Sequence, residues 1–176
     1  MIGRFILFLL CVSAVAAEAP KMKTIVYRGG IITFSIPATW KEEYKPEGGG
    51  TFYEDTPDSG TFRLNVLTFK MSDGKLASDG YAYFAPTPLK DGERLSRTTR
   101  GDGLKFSKRS AEEEGAKIDL YCWQIAHVAP PEKLYIASFT WTILSTQSSD
   151  PKFQAEIKSL EDQILHAYFH PDLGKL

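Results

Sequence analysis

Three successive stretches decide the fold: Ala116-Lys-Ile-Asp-Leu-Tyr-Cys-Trp-Gln-Ile-Ala-His-Val128, Lys133-Leu-Tyr-Ile-Ala-Ser-Phe-Thr-Trp-Thr-Ile-Leu144, and Asp150-Pro-Lys-Phe-Gln-Ala-Glu-Ile-Lys-Ser-Leu-Glu-Asp-Gln-Ile-Leu-His-Ala-Tyr168. The second alternates. Tyr135, Ala137, Phe139, Trp141 and Ile143 face one way, and Ser138, Thr140 and Thr142 the other. That period of two marks a strand with one buried face. The first carries bulky apolar residues on both faces, as a strand covered on both sides does, and Pro130-Pro131 marks the turn between the two. The third reads as a helix. Asp150 is its N-cap and Pro151 its first residue. Phe153, Ile157, Leu160, Ile164 and Tyr168 recur at three- and four-residue spacing as one apolar stripe, and Pro171 is expected to end it.

Toward the N-terminus, turn chemistry marks further strands. Thr24 to Tyr27 and Ile31 to Ile36 flank Gly29-Gly30 as a hairpin. Ala38 to Tyr44 reads as one helical turn or an irregular step. Lys45 to Gly50, with three consecutive glycines, reads as a flexible loop. Thr51 to Glu54 and Thr61 to Met71 flank the Thr56-Pro-Asp-Ser-Gly60 turn. In the longer strand Phe62, Leu64 and Val66 oppose Arg63, Asn65, Leu67 and Phe69. A short helix is expected over Leu76 to Phe84, stopped by Pro86 and Pro88. Strands follow at Glu93 to Arg100 and Leu104 to Ala111. A long meander closed by one amphipathic helix is an α+β pattern: an antiparallel sheet flanked by helices, with the C-terminal helix packed on it.

The N-terminus sets the compartment. Arg4, an apolar run from Phe5, and Ser13-Ala-Val-Ala-Ala17 have the charge, apolar core and small-residue exit of a signal peptide over residues 1–17. The run is short of the roughly 20 residues a spanning helix needs. Cleavage near Ala16 or Ala17 is expected, placing residues 18–176 in the periplasm or outside the cell as a single domain. Lipidation at Cys11 is disfavoured by Leu10 before it. The formal net charge is −1, and losing Arg4 makes the mature chain more acidic still, so nothing steers it to nucleic acid. No second apolar run approaches membrane length. Cys122 is then the one remaining cysteine. It lies in the row Ile118, Leu120, Cys122, which predicts a buried, unreactive thiol. The single asparagine, Asn65, lies in no glycosylation sequon, which favours a bacterial exported protein.

The run Ile32-Thr-Phe-Ser-Ile-Pro-Ala-Thr-Trp40 resembles the "strand, Ile-Pro, two residues, Trp" opening of Mog1/PsbP-like domains. The block Gly49-Gly-Thr-Phe-Tyr-Glu-Asp-Thr-Pro-Asp-Ser-Gly-Thr-Phe-Arg-Leu-Asn-Val66 is similar to small bacterial exported domains of unknown function that share that fold. The resemblance covers about Ile25 to Phe169. It implies a central antiparallel sheet flanked by helices, in a fold that serves as a binding or scaffolding module. It brings no catalytic residues with it, and fold does not transfer function.

The chemical candidates each have a plainer reading. Asp162, His166 and His170 share a helix face and are of zinc-ligating type. His170 precedes Pro171, however, and histidines at a helix C-terminus suit its dipole. Glu54, Asp55 and Asp58 cluster at a turn without the spacing of a calcium loop. The glycines at 48–50 lack the Lys-Ser/Thr and the helix of a phosphate loop. Cys122 and His127 are five apart on one strand, hence on opposite faces, and no G-x-S-x-G occurs. Arg100-Gly101-Asp102 reads as a tight turn. Tyr121, Trp123, Tyr135, Phe139 and Trp141 read as core, with a ligand pocket as the alternative.

No catalytic, metal or cofactor-binding residue is assigned, and no cofactor is expected. The function expected is non-catalytic binding, with another protein as partner, and the loops Lys45 to Gly50 and Pro86 to Gly92 as the first places to look. Two alternatives stay open: a periplasmic carrier of an apolar small molecule or lipid on the aromatic sheet face, and a hydrolase with an unrecognised site.

Overall fold

The computed structural model describes residues 20–71, 77–129 and 131–173. The expected signal peptide lies outside them, as does Leu76, where the short helix was expected to begin. The element order is β1 (Met22–Tyr27), β2 (Ile32–Pro37), β3 (Lys41–Tyr44), β4 (Gly50–Tyr53), β5 (Thr61–Lys70), α1 (Gly80–Phe84), β6 (Arg94–Arg97), β7 (Gly103–Glu113), β8 (Ala116–Ala129), β9 (Lys133–Leu144), α2 (Pro151–Leu165) and β10 (Tyr168–Phe169). β3 to β9 form a seven-stranded antiparallel sheet in the order β3-β4-β5-β9-β8-β7-β6, and β1, β2 and β10 form a separate three-stranded one. The chain is therefore α+β, with the architecture that the resemblance to Mog1/PsbP-like domains implies. The N-terminal hairpin leaves the main sheet and forms, with α2, the layer that covers it.

The alternation read from the sequence decides which face is covered. Phe62, Leu64, Trp123, Ile125, Phe139 and Trp141 point inward and are almost fully buried. From the other layer, Ile32, Phe34 and Ile36 of β2 and Phe153, Ile157, Leu160 and Ile164 of α2 meet them. Phe34 stands edge-on to both Phe52 and Phe139 at 5.5 and 5.2 Å. Trp40 is buried and stacks on Trp141 at 5.2 Å, nearly parallel. Each such side chain contributes about 1.5–3 kcal/mol on burial, so this one interior carries most of the stability. Asp150 caps α2 by accepting from Lys152 N.

On the opposite, outer face of the large sheet α1 covers only one end. It lies over β7 and β8 because Gly80 and Gly103 let the backbones touch. A Cβ on Gly103 would stand 2.2 Å from the Gly80 carbonyl oxygen. Phe84, Ala126, Leu134 and Ile136 are buried there.

Several local expectations need correcting. Lys41–Tyr44 is neither a helical turn nor an irregular step but an exposed edge strand paired with β4. Its charged Lys41, Glu42 and Glu43 are the kind that protect an open edge. The C-terminal helix ends at Leu165, well before Pro171. Tyr168 and Phe169 pair with Thr33 and Ile32 of β2, and Phe169 is buried, so tertiary pairing overrides the helical stripe. Cys122 is half-buried, not buried. It faces outward beside Leu120 and Gln124, where α1 does not reach, so β8 is covered on both sides over part of its length only.

Candidate functional site

The uncovered outer face is built from the polar half of each alternating strand. Pairing registers set its rows: Arg63, Thr140, Cys122 and Ser107 lie side by side across β5, β9, β8 and β7. Asn65, Ser138, Gln124 and Lys105 form the next row. A groove of about 710 Å3 opens over this floor, lined by Arg63, Asn65, Ser138, Thr140, Leu120 and Arg109 among others.

The loop at 45–50 makes one wall, and it is not the flexible segment its glycines suggest. Gly48 N donates to Lys45 O at 3.0 Å. Tyr27 Oη accepts from Gly49 N at 2.7 Å and Arg28 donates to Pro46 O at 3.1 Å, so the β1–β2 hairpin holds it down. Gly48 and Gly49 have φ of +123° and +92°, outside the range an L side chain readily adopts. The segment from α1 to β6 reaches the same outer face at Lys105, outside the groove's lining. Glu93 pairs with the outward-facing Lys105 at 3.0 Å. The Lys90 amide and then Lys105 hold the Glu93 carboxyl below its ordinary value. Both loops singled out in the sequence therefore border one face.

The other candidates are dispersed. Glu54 pairs with Lys152 at 2.9 Å and Asp55 with Lys41. Asp58 contributes its carbonyl to Gln147. His166 Nδ1 lies 2.8 Å from Asp162 O on the last turn of α2, whereas His170 sits past β10 and accepts from Asp172 N at 3.1 Å. Among the described residues no three His, Cys, Asp or Glu side chains come together as a metal would need. Asp102 of the tight turn pairs with His127 at 2.7 Å, whose ring stacks on Phe169 at 5.2 Å. His127 faces inward and Cys122 outward, as their odd separation requires. No serine or cysteine meets His127 among the described residues. Tyr121, Trp123, Tyr135, Phe139 and Trp141 are all buried in the core.

Two features escaped the sequence. Asp119 is 6% exposed. It accepts from Ser110 at 2.7 Å, from Ser145 at 2.9 Å and from Ser148, and pairs with Lys108 at 2.8 Å. Burial pushes its carboxyl up, but these four partners together outweigh that and hold it well below the usual range. The one signal was an acid between Ile118 and Leu120. The second feature is a cleft of about 320 Å3 between α2 and the β2–β3 turn, lined by Pro37, Trp40, Ala155, Glu156 and Leu160. Burial raises the Glu156 carboxyl there.

No protein-family model matches the sequence, and no curated protein does either. Solved structures do match. A protein from Bacteroides thetaiotaomicron VPI-5482 matches over 85% of this chain at 19% identity and a TM-score of 0.59; the match covers 49% of that protein, so this chain spans about half its length. LpqN, involved in cell envelope biogenesis of Mycobacterium tuberculosis, matches over 86% of this chain and 91% of its own at 10% identity and a TM-score of 0.53. Those two share the fold. The cyanobacterial PsbP of Synechocystis sp. PCC 6803 matches over 90% of this chain and 98% of its own, at 10% identity and a TM-score of 0.39. Among the described residues no helix is long and apolar enough to cross a membrane.

Proposed function

We propose that this chain is an exported single-domain module that binds another protein, and that the outer face of the seven-stranded sheet is its recognition surface. The observation that carries this reading is the open, walled groove over β5, β9, β8 and β7. Sheet faces pointing at the interior are filled, while this one keeps hydroxyl, amide and guanidinium groups half or fully exposed beside the anchored 45–50 loop. Polar, rigid surfaces of this type suit protein recognition, where hydrogen bonds fix orientation. The catalytic alternative has an acid–imidazole pair, Asp102–His127, but no nucleophile on it among the described residues. The signal-like N-terminus supports export, and LpqN, which shares the fold, is involved in cell envelope biogenesis.

Photo-crosslinking residues at Asn65 and Ser138, with Lys158 on the exposed side of α2 as control, test the reading in living cells. One partner protein should be trapped from Asn65 and Ser138 and not from Lys158; equal or absent trapping overturns it. Intact mass of the exported protein should give Ala17 or Glu18 as the first residue, and a retained Met1 would sink the export reading.

One observation favours a second reading. The cleft beside Trp40 reaches the lower end of ligand-pocket sizes, about 300–1,000 Å3, and sets Pro37, Trp40, Ala155 and Leu160 beside Thr39, Ser159, Glu156 and the Glu54–Lys152 pair. The aromatic face first considered for a carrier is consumed by the core. A carrier role therefore passes to this cleft, and native mass spectrometry of the purified protein would show a retained ligand lost in Trp40→Ala.

A further inference from the structure

Among the described residues the arginines divide into two groups. Arg94 pairs with Glu161 at 2.6 Å and Arg97 with Asp79 at 3.0 Å. Arg28 is tied to Pro46 O and lies over the Tyr27 ring, and Arg100 lies over the Tyr168 ring. Arg63 and Arg109 differ. Arg63 makes one long contact, 3.5 Å to Thr142 Oγ1, and Arg109 has no partner among the described residues. Both line the same groove, with Lys45 beside them and Glu47 as the one acid. A chain whose net charge is −1 thus gathers three cations against one acid in this groove.

Register fixes the spacing. Arg63 is on β5 and Arg109 on β7, with β9 and β8 between. Three strand spacings separate them across the sheet, about 14 Å at 4.7–4.9 Å each, and Arg109 lies two residues further along β7 than Ser107, which shares the row of Arg63, so the two backbones are about 16 Å apart. The floor between them offers Thr140, Ser138 and Asn65, which can hydrogen-bond a peptide backbone. No aromatic ring lines the groove, so sugars and bases have nothing to stack on.

We propose that this groove takes an acidic segment of the partner protein, with Arg63 and Arg109 each receiving a carboxylate from opposite sides. The proposal rests on the outer-face reading and adds the chemistry of the partner. Guanidinium groups without an internal carboxylate are poised for bidentate pairing with an incoming one, and the pairing is stronger than between neutral groups.

The test uses a hexaglutamate peptide on the isotope-labelled protein, followed by NMR, with hexaglutamine, inorganic phosphate and phosphatidylglycerol vesicles as separate arms. Hexaglutamate should shift amides at 63–65, 107–109, 138–140 and 48–50. The Arg63→Gln/Arg109→Gln variant should bind it at least about tenfold more weakly, with the melting temperature unchanged because both side chains are exposed. Binding should weaken as salt screens the pairs. Equal binding of hexaglutamine, unchanged binding by the double variant, or capture by vesicles or phosphate without peptide binding overturns the proposal. Crosslinking from Asn65 separates the two readings. If the double variant still traps the partner there, the acidic-segment proposal fails and the recognition face stands. If wild type traps nothing there, the face itself is wrong.

Discussion

Replacing Asp119 by Asn removes one charge and almost no volume, so it isolates what that charge does. The carboxylate is 6% exposed and holds together β7 through Ser110 and the turn before α2 through Ser145 and Ser148. A hydrogen bond to a charged group contributes about 1.5–3 kcal/mol net and a neutral one about 0.5–1.5, so each serine contact should lose about 1 kcal/mol. Lys108 is 41% exposed; solvent screens that pair, and its loss adds less than about 1 kcal/mol. The expected destabilisation is about 3–4 kcal/mol at pH 7, a large part of a domain stability of about 5–15. The pH dependence has a fixed sign. The folded carboxyl is held below its unfolded value, so its contribution is complete above the unfolded value of about 3.9 and is lost as pH falls below it. The gap between wild type and Asp119→Asn should be constant from about pH 7 to 5 and shrink by about 1.4 kcal/mol per pH unit below about 3.9. Glu42, Glu54, Asp79 and Glu93 are also held low, but they act in both proteins and cancel in the difference. Urea denaturation at a series of pH values measures it. A loss under about 1 kcal/mol at pH 7, or a gap that ignores pH, refutes the reasoning.

Trp40→Ala should cost about 3–5 kcal/mol and Leu160→Ala about 2–5, whereas His166→Ala on the exposed end of α2 should stay within about 0.5; thermal melts rank them, and addition of a chelator should change none. Gly49→Ala should cost about 1–3 kcal/mol because its φ of +92° strains any side chain, and amide exchange at Gly49 should rise as the Tyr27 bond to it loosens. Cys122, half-buried on the outer face, should react with a small thiol reagent in the native state, more slowly than after denaturation, and more slowly still with hexaglutamate bound; silence until unfolding would return the thiol to the core.

What the sequence makes legible is whatever depends on near neighbours. The alternation in β5 and β9 sorts Phe62, Leu64, Phe139 and Trp141 inward with no knowledge of what lies across from them, and Asp150-Pro151 marks the start of α2. Features that fail are those set from far away. The stripe from Phe153 to Tyr168 is locally a helix, yet Phe169 must reach β2 over 130 residues earlier in the chain, so the helix stops at Leu165. The row Ile118, Leu120, Cys122 looks apolar by composition, but burial depends on where α1 lands, and it lands over Ala126. The loop at 45–50 looks slack because its anchors, Tyr27 and Arg28, belong to a hairpin in the other sheet. Asp119 looks like an interruption because its serines at 110, 145 and 148 come from two other segments.

The groove illustrates the same division at the level of function. Each of its parts is visible as the outward half of an alternation: Arg63 and Asn65 on β5, Ser138 and Thr140 on β9, Arg109 on β7. Their convergence is not, because β5 pairs with β9, some seventy residues later in the chain, and only then reaches β8 and β7. The same order explains why the face stays open. The chain covers the inner face twice, first with the β1–β2 hairpin and last with α2, while among the described residues the five-residue α1 is the one helix on the outer side. A helix of that length shields about one strand pair. The polar rows beyond it must then tolerate water, and their residues do: hydroxyls, amides and arginines that lose nothing by solvation. Leaving Arg63 and Arg109 without carboxylates sets them apart from the other four described arginines, each of which meets a carboxylate, a carbonyl oxygen or a ring. That asymmetry, more than the groove's size, is the reason to look for the missing carboxylates on another molecule.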